Sequence, residues 1–211
     1  MTALEEIAIA MGRRDEIPNQ QLAKKLVASQ DTAGIKELAD HLHDRNSDVA
    51  SDCLKTLYEI GMIAPTFIED YADEFLKLLR SKNNRMVWGA MISLTTIAAQ
   101  KADTLFPHID LIIKTTREGS VITTDNGIKT LALIGSASSD YRSAVFPFLI
   151  EHLSTCRPKS VPQHAEHIFA SVDSINKADY IRVLQSRLTD LNGTGLARVR
   201  KLIKNTDRIS S

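Results

Sequence analysis

Two histidines three residues apart, His164 and His167, have a type and spacing that could do chemistry. One helical turn can present both imidazoles to a single metal ion, with a carboxylate from a second helix completing the set. The segment His164-Ala165-Glu166-His167 lacks the glutamate directly after the first histidine and the i, i+4 spacing of a zinc protease helix. The two are therefore expected to be ordinary surface histidines, with no metal and no cofactor. His41 and His43 point to different sides of a helix and carry less still. Cys53, beside Leu54, reads as a small buried hydrophobe. Cys156 ends a helix, whereas reactive thiols of low pKa favour helix starts. No serine or cysteine sits in a nucleophile elbow, and the nine glycines are scattered rather than gathered into a phosphate loop. The sequence thus predicts a protein that is not an enzyme.

A second constellation suits binding. In a 37-residue register, Ser51, Trp88 and Asp125 fall in one column, Asp52, Gly89 and Asn126 in the next, and Lys55, Ile92 and Lys129 one turn further on. Trp88 is the single tryptophan of the chain and the odd member of a polar column, and a large amphipathic ring on a polar face suits a binding hot spot. Beside Gly89 it would find open space for a partner side chain; alternatively it packs under a neighbouring helix and fills the gap Gly89 leaves. Trp88, Asp52, Lys55, Asp125 and Lys129 are the expected partner-binding residues. Asp52 and Asp125 lie two repeats apart, about 20 Å at ~10 Å per helix layer, too far for a carboxylate dyad, so the charges there read as a solvated face. The third group is basic: residues 181–211 carry seven Lys or Arg against Asp190 and Asp207, a net of +5. Arg182, Arg187, Arg198, Arg200, Lys201 and Lys204 could meet phosphate, which makes nucleic acid the alternative partner to another protein; the same residues also suit a solvated capping helix.

The elements that must position these groups follow from the same spacing. Leu57, Leu94 and Leu131 are each 37 residues apart, as are Ile60, Ile97 and Ile134, the small residues Gly61, Ala98 and Gly135, and the apolar Leu54, Met91 and Ile128. Within each copy the columns fall at i, i+3, i+6 and i+7, one stripe along a helix. Helical stripes at a period of 20 to 50 residues mean stacked helical hairpins. The stripe helices are expected over Val49–Gly61, Met86–Ala99 and about Ser120–Gly135, and second helices over roughly Pro65–Arg80, Thr104–Thr116 and Asp140–Thr155. The last two share Leu105-Phe106-Pro107 and Val145-Phe146-Pro147 at a spacing of 40, which locates a short insertion near Ser136–Ser139. A weaker copy runs from Val161 to about Thr189. Pro18, Pro65, Pro107, Pro147 and Pro162 are expected at or near helix starts, where a missing N–H costs little.

The run Leu42-His43-Asp44-Arg45-Asn46-Ser47-Asp48-Val49, with Cys53-Leu54, Leu57 and Ile60-Gly61 after it, resembles a HEAT repeat, with armadillo-like repeats an equally fitting label. Ala50 stands where that pattern usually places Arg. The resemblance covers about residues 20–190 in four to five copies. It implies an all-α, right-handed solenoid of about ten helices and a scaffold or adaptor that holds a partner along one face. Bacterial helical-repeat glycosylases use several tryptophans and tyrosines in their pocket, which one tryptophan does not supply. The expected organisation is a lead-in helix at 1–18, in which Leu4, Ile7, Ala8 and Met11 share a face, repeats at 19–195, and a basic capping helix and tail at 196–211.

Whole-chain properties bound the rest. Twenty-six Lys and Arg balance twenty-six Asp and Glu, so no global field draws the chain to nucleic acid or anionic lipid. Residues 1–48 are net negative, six basic against nine acidic. Hydrophobic residues at 43% suffice for a continuous core. Two isolated cysteines, no leader-like start after Met1 and no long apolar run point to a cytoplasmic protein.

Overall fold

A computed structural model describes residues 2–210 of the chain; Met1 and Ser211, the ends of the expected lead-in and tail, lie outside the described residues. The described residues are all-α, with no strand among them, and no helix is long and apolar enough to cross a membrane. In chain order the helices are α1 (Ile17–Ser29), α2 (Thr32–Asp40), α3 (Ser47–Ile63), α4 (Ala72–Leu78), α5 (Asn84–Ile97), α6 (Ala102–Leu105), α7 (Ile109–Glu118), α8 (Val121–Ala137), α9 (Ser139–Thr155), α10 (Val161–Ile168), α11 (Lys177–Ser186) and α12 (Gly193–Asp207). The chain divides into two compact units, Met1–Asn126 and Gly127–Ser211. The division falls inside α8, where hydrophobic periodicity carries no mark of it.

The 37-residue register is visible in the helix starts themselves. α3, α5 and α8 begin at residues 47, 84 and 121, each 37 apart. Each start has its own cap: Asn46 accepts from the Asp48 N–H at 3.0 Å, Asn83 from the Arg85 N–H at 2.9 Å, and the Ser120 hydroxyl from the Thr123 N–H at 3.3 Å. Every member of the leucine and isoleucine columns is fully buried. The small column is small because other elements press on it. A Cβ added at Gly61 would stand 2.3 Å from Thr96 Oγ1, and one at Gly135 would stand 2.7 Å from Val145 Cγ2.

In the first unit, the lead-in helix is not formed. Leu4–Glu6 makes one 3-10 turn, and the following backbone turns away from helix. Side chains of other segments hold the backbone at its start and middle, and two of the N–H groups a helix would give to its own carbonyls, those of Ala8 and Ile9, go to them instead. Ala3 donates to Glu37 Oε2 at 2.8 Å, Ala8 to Asn19 Oδ1 at 2.9 Å and Ile9 to Asp52 Oδ2 at 2.8 Å. Ile7 and Ala8 are buried, while Met11 stays exposed. The second helices are also broken. Pro65 and Pro107 each open or interrupt a 3-10 turn, so Pro65–Arg80 contains only α4, and Thr104–Thr116 is split between α6 and α7.

The second unit corrects further expectations. No loop is inserted at 136–139: Ser138 alone separates α8 from α9 and caps α9 by accepting from the Tyr141 N–H. The three extra residues lengthen the helix instead. Two turns of α9 precede Phe146-Pro147, against the single turn of α6 before Phe106-Pro107, and Pro147 lies inside α9 rather than near its start. The weaker copy, 161–189, breaks into α10, a 3-10 turn and α11. The capping helix starts at Gly193, three residues before the expected 196. Val145, Leu149, Leu153, Val161, Ile168 and Leu184 are fully buried, as is Tyr180, whose hydroxyl donates to the Ala165 carbonyl at 2.7 Å.

Candidate functional site

Trp88 lies in the second turn of α5 and Tyr58 in the last turns of α3. Their ring centroids are 6.1 Å apart with the planes tilted 57°, an attractive edge-on aromatic arrangement. Tyr58 is buried and Trp88 half-buried. Behind them the Lys55 ammonium sits 4.6 Å from the centre of the Tyr58 ring. Lys55 Nζ also pairs with Glu59 Oε1 at 2.6 Å and Glu16 Oε2 at 2.8 Å. Burial opposes its charge, but the two carboxylates outweigh that and hold its pKa above the usual lysine value. Burial likewise raises the Tyr58 hydroxyl. The result is a ladder of cation, phenol and indole across two packed helices.

The open space expected beside Gly89 is absent. A Cβ there would stand 2.7 Å from Leu54 Cδ2, so the glycine serves the close approach of α3 to α5 and leaves no room for a partner side chain. The expectation of a solvated face also fails for Asp52 and Lys55, which are 7% and 5% exposed. Segment 2–16 covers them: Asp52 accepts from the Ile9 N–H, with Arg85 at 3.8 Å, and Lys55 is held by Glu16. Ser51 of the tryptophan column is buried too, donating to Met86 Sδ. Beside this closure lies a hollow of about 350 Å³ whose lining includes Arg13, Arg14, Glu16, Asp48, Asp52 and Arg85. Asp125 and Lys129 both belong to α8, half-buried and exposed respectively, on either side of the division between the units.

Three of the six basic residues near the C-terminus are already engaged. Arg187 is buried: Nε meets Asp190 at 2.6 Å, Nη1 donates to the Leu153 carbonyl at 2.8 Å and Nη2 to the Cys156 carbonyl at 2.7 Å. It is a structural tie and not a phosphate ligand. Arg198 forks onto Glu166, with Nε at 2.8 Å from Oε1, and Arg182 pairs with Asp179. Arg200, Lys201 and Lys204 remain exposed on α12.

The histidine expectation is corrected most sharply. His164 is only 2% exposed, and it meets a histidine of another helix. Its Nδ1 lies 3.0 Å from Nε2 of His152 on α9, and Cys156, just after α9, completes a cluster whose ligating atoms all lie within 4.8 Å of one another. His152 and Cys156 are four residues apart across the last turn of α9, a signal present in the sequence but overlooked beside the more familiar histidine pair. Neither cysteine has the environment of a reactive thiol: burial pushes Cys53 up to about 12, and it also raises Cys156 against the opposing pull of Arg187.

No family model matches the chain, and no curated protein matches it in sequence. Solved structures do match its fold. An engineered protein from a structural genomics consortium is similar with a TM-score of 0.71 and 17% identity, over 98% of this chain and 97% of its own. A designed armadillo repeat protein in complex with the peptide (KR)4 has a TM-score of 0.68 and 14% identity, over 89% of this chain and 84% of its own. A computationally designed armadillo repeat protein for modular peptide recognition has a TM-score of 0.66 and 13% identity, over 87% and 85%. The protein therefore has an all-α, armadillo-like repeat fold.

Proposed function

We propose that this chain is a non-enzymatic binding scaffold that holds an extended peptide segment of another protein against α3 and α5, with Trp88 as the anchor. The observation that carries the reading is the half-buried indole against Tyr58, whose ring is in turn backed by Lys55. A ring held rigid before binding loses little entropy on contact. Two designed proteins of similar fold, one in complex with the peptide (KR)4 and one made for modular peptide recognition, support the same use of this fold. The absence of catalysis is supported by how Asp52 and Lys55 are used. Their charges are spent on the Ile9 N–H and on Glu16 and Glu59, which leaves neither poised for proton transfer. Phosphate binding at the C-terminal tip is the weaker reading, because Arg182, Arg187 and Arg198 already have acidic partners.

The test uses the single tryptophan as its own reporter. A display library of extended peptides is panned on the intact chain, and enriched sequences are titrated against Trp88 fluorescence. The expected result is a saturable change in emission for wild type, with affinity, measured for both proteins by isothermal titration calorimetry, falling at least about tenfold in Trp88→Ala, the size of an interface hot spot. Enriched peptides that bind wild type and Trp88→Ala equally would refute the proposal. A steep loss of binding to oligonucleotide with added salt, in place of peptide binding, would favour the C-terminal tip instead.

A further inference from the structure

We propose that His152, Cys156 and His164 are the protein ligands of a zinc(II) site that ties the last turn of α9 to α10. The three groups come from separate constraints that converge on one point. His152 and Cys156 share one side of the α9 terminus through their four-residue spacing. Cys156 is the residue at which the backbone leaves the helix, with φ −63° and ψ 161°. Arg187 fixes that exit by donating to the carbonyls of both Leu153 and Cys156. The turn Pro158–Ser160 then brings the chain back, and α10 delivers His164 from its first turn into the buried side of the cluster.

The geometry is close to what the ion requires. Zinc bonds of about 2.0–2.1 Å to imidazole nitrogen and about 2.3 Å to thiolate put tetrahedral ligands about 3.3–3.6 Å apart. The two imidazole nitrogens are 3.0 Å apart and the full set lies within 4.8 Å. The histidines need only open by about 0.3 Å, and the thiolate close by at most about 1.2 Å, to reach those tetrahedral separations. Nε2 of His152 and Nδ1 of His164 lie within hydrogen-bond distance of each other; the ion would take the place of the proton between them, and the ring that carries that proton would hold it on its other nitrogen, so both imidazoles stay neutral. The thiol proton leaves to solvent as the sulfur becomes a ligand.

The donor set also selects the metal. Two imidazoles and one thiolate are borderline-soft, suited to zinc and poor for magnesium or calcium, which take oxygen. His152 and Cys156 are half-buried where His164 is buried, so two of the three ligands are reached by solvent.

Cobalt(II) and zinc(II) titrations of the untagged, metal-stripped full chain test the site. Cobalt should bind one per chain and give a thiolate charge-transfer band in the near ultraviolet with visible bands of tetrahedral intensity. Zinc should then bleach both and raise the thermal midpoint. Cys156→Ser should abolish the charge-transfer band, and His152→Gln should weaken binding by more than about tenfold, while Cys53→Ala and His167→Gln should leave both properties unchanged. No charge-transfer band in wild type would overturn the proposal whatever the variants do to folding. A band that survives Cys156→Ser, or binding of copper(I) with no response to cobalt or zinc, would overturn it as well.

Discussion

Gly61→Ala sets two well-known effects against each other at one atom. Gly61 lies in the last turns of α3, where alanine in place of glycine adds about 1 kcal/mol of helix propensity. Against that, the new Cβ would stand 2.3 Å from Thr96 Oγ1, 2.6 Å from Ile68 Cδ1 and 3.0 Å from Thr96 Cβ. Two different elements are struck together, α5 and the turn before α4, so a single rotamer change cannot relieve both. Thr96 Oγ1 is also held by its bond to the Ser93 carbonyl at 2.7 Å. Overpacking of this kind costs about 1–3 kcal/mol, and two contacts this short belong in the upper half of that range. The net expectation is a loss of about 1–2 kcal/mol. Urea unfolding followed by the single tryptophan, which sits on α5, reads the first unit directly. Thr96→Ala in the same background should recover part of the loss, a coupling that a double-mutant cycle isolates. A Gly61→Ala protein as stable as wild type would refute the close approach on which the small-residue column is explained.

Lys55→Met leaves Glu16 and Glu59 without their shared cation and should cost about 1–3 kcal/mol at neutral pH. Because the folded pKa of Lys55 is raised, its contribution is fully present below its unfolded pKa of about 10.4 and is lost as pH climbs through the higher folded value. The stability gap between wild type and Lys55→Met should therefore narrow only above about pH 10.4, and urea midpoints that show a gap closing already at pH 9 would contradict the pairing. Asp52→Ala should cost about 1–3 kcal/mol by leaving the Ile9 N–H without an acceptor, and hydrogen exchange at Ile9 should accelerate. Asp52→Asn keeps an acceptor oxygen and should lose less than about 1 kcal/mol, so equal losses in the two variants would show that charge toward Arg85 matters more than the bond to Ile9.

These residues also mark where sequence reasoning succeeds and where it stops. Leu57, Leu94 and Leu131 are legible because a buried stripe is a property of one helix repeated, and the repeat itself supplies the alignment. The capping asparagines Asn46 and Asn83 keep that register for the same reason. Asp52 and Lys55 are misread because their partners, the Ile9 N–H and Glu16, lie in segment 2–16, before the first repeat, where no column reaches. A repeat alignment gives each position the environment of an average copy, and the first stripe helix, α3, is covered by a non-repeating segment that blocks the average. Gly89 fails differently: missing side-chain volume looks like open space in one dimension, and only the packing of α3 against α5 shows that Leu54 fills it.

His152, Cys156 and His164 fail for a third reason. A search along one helix finds neighbours at three and four residues, and the His164–His167 pair satisfies it, but the His152–His164 contact spans twelve residues across a turn of the chain. The residues that gather chemistry in this fold are those at helix ends and chain reversals, where the repeat is interrupted and backbone groups need outside partners. Arg187 shows the principle at work: its guanidinium satisfies two carbonyls at the end of α9, and in doing so fixes the backbone that aims Cys156 toward the two imidazoles. A basic residue that composition assigns to a phosphate-facing tip is thus used to build a different site, and the two roles exclude each other because one buried guanidinium cannot serve both.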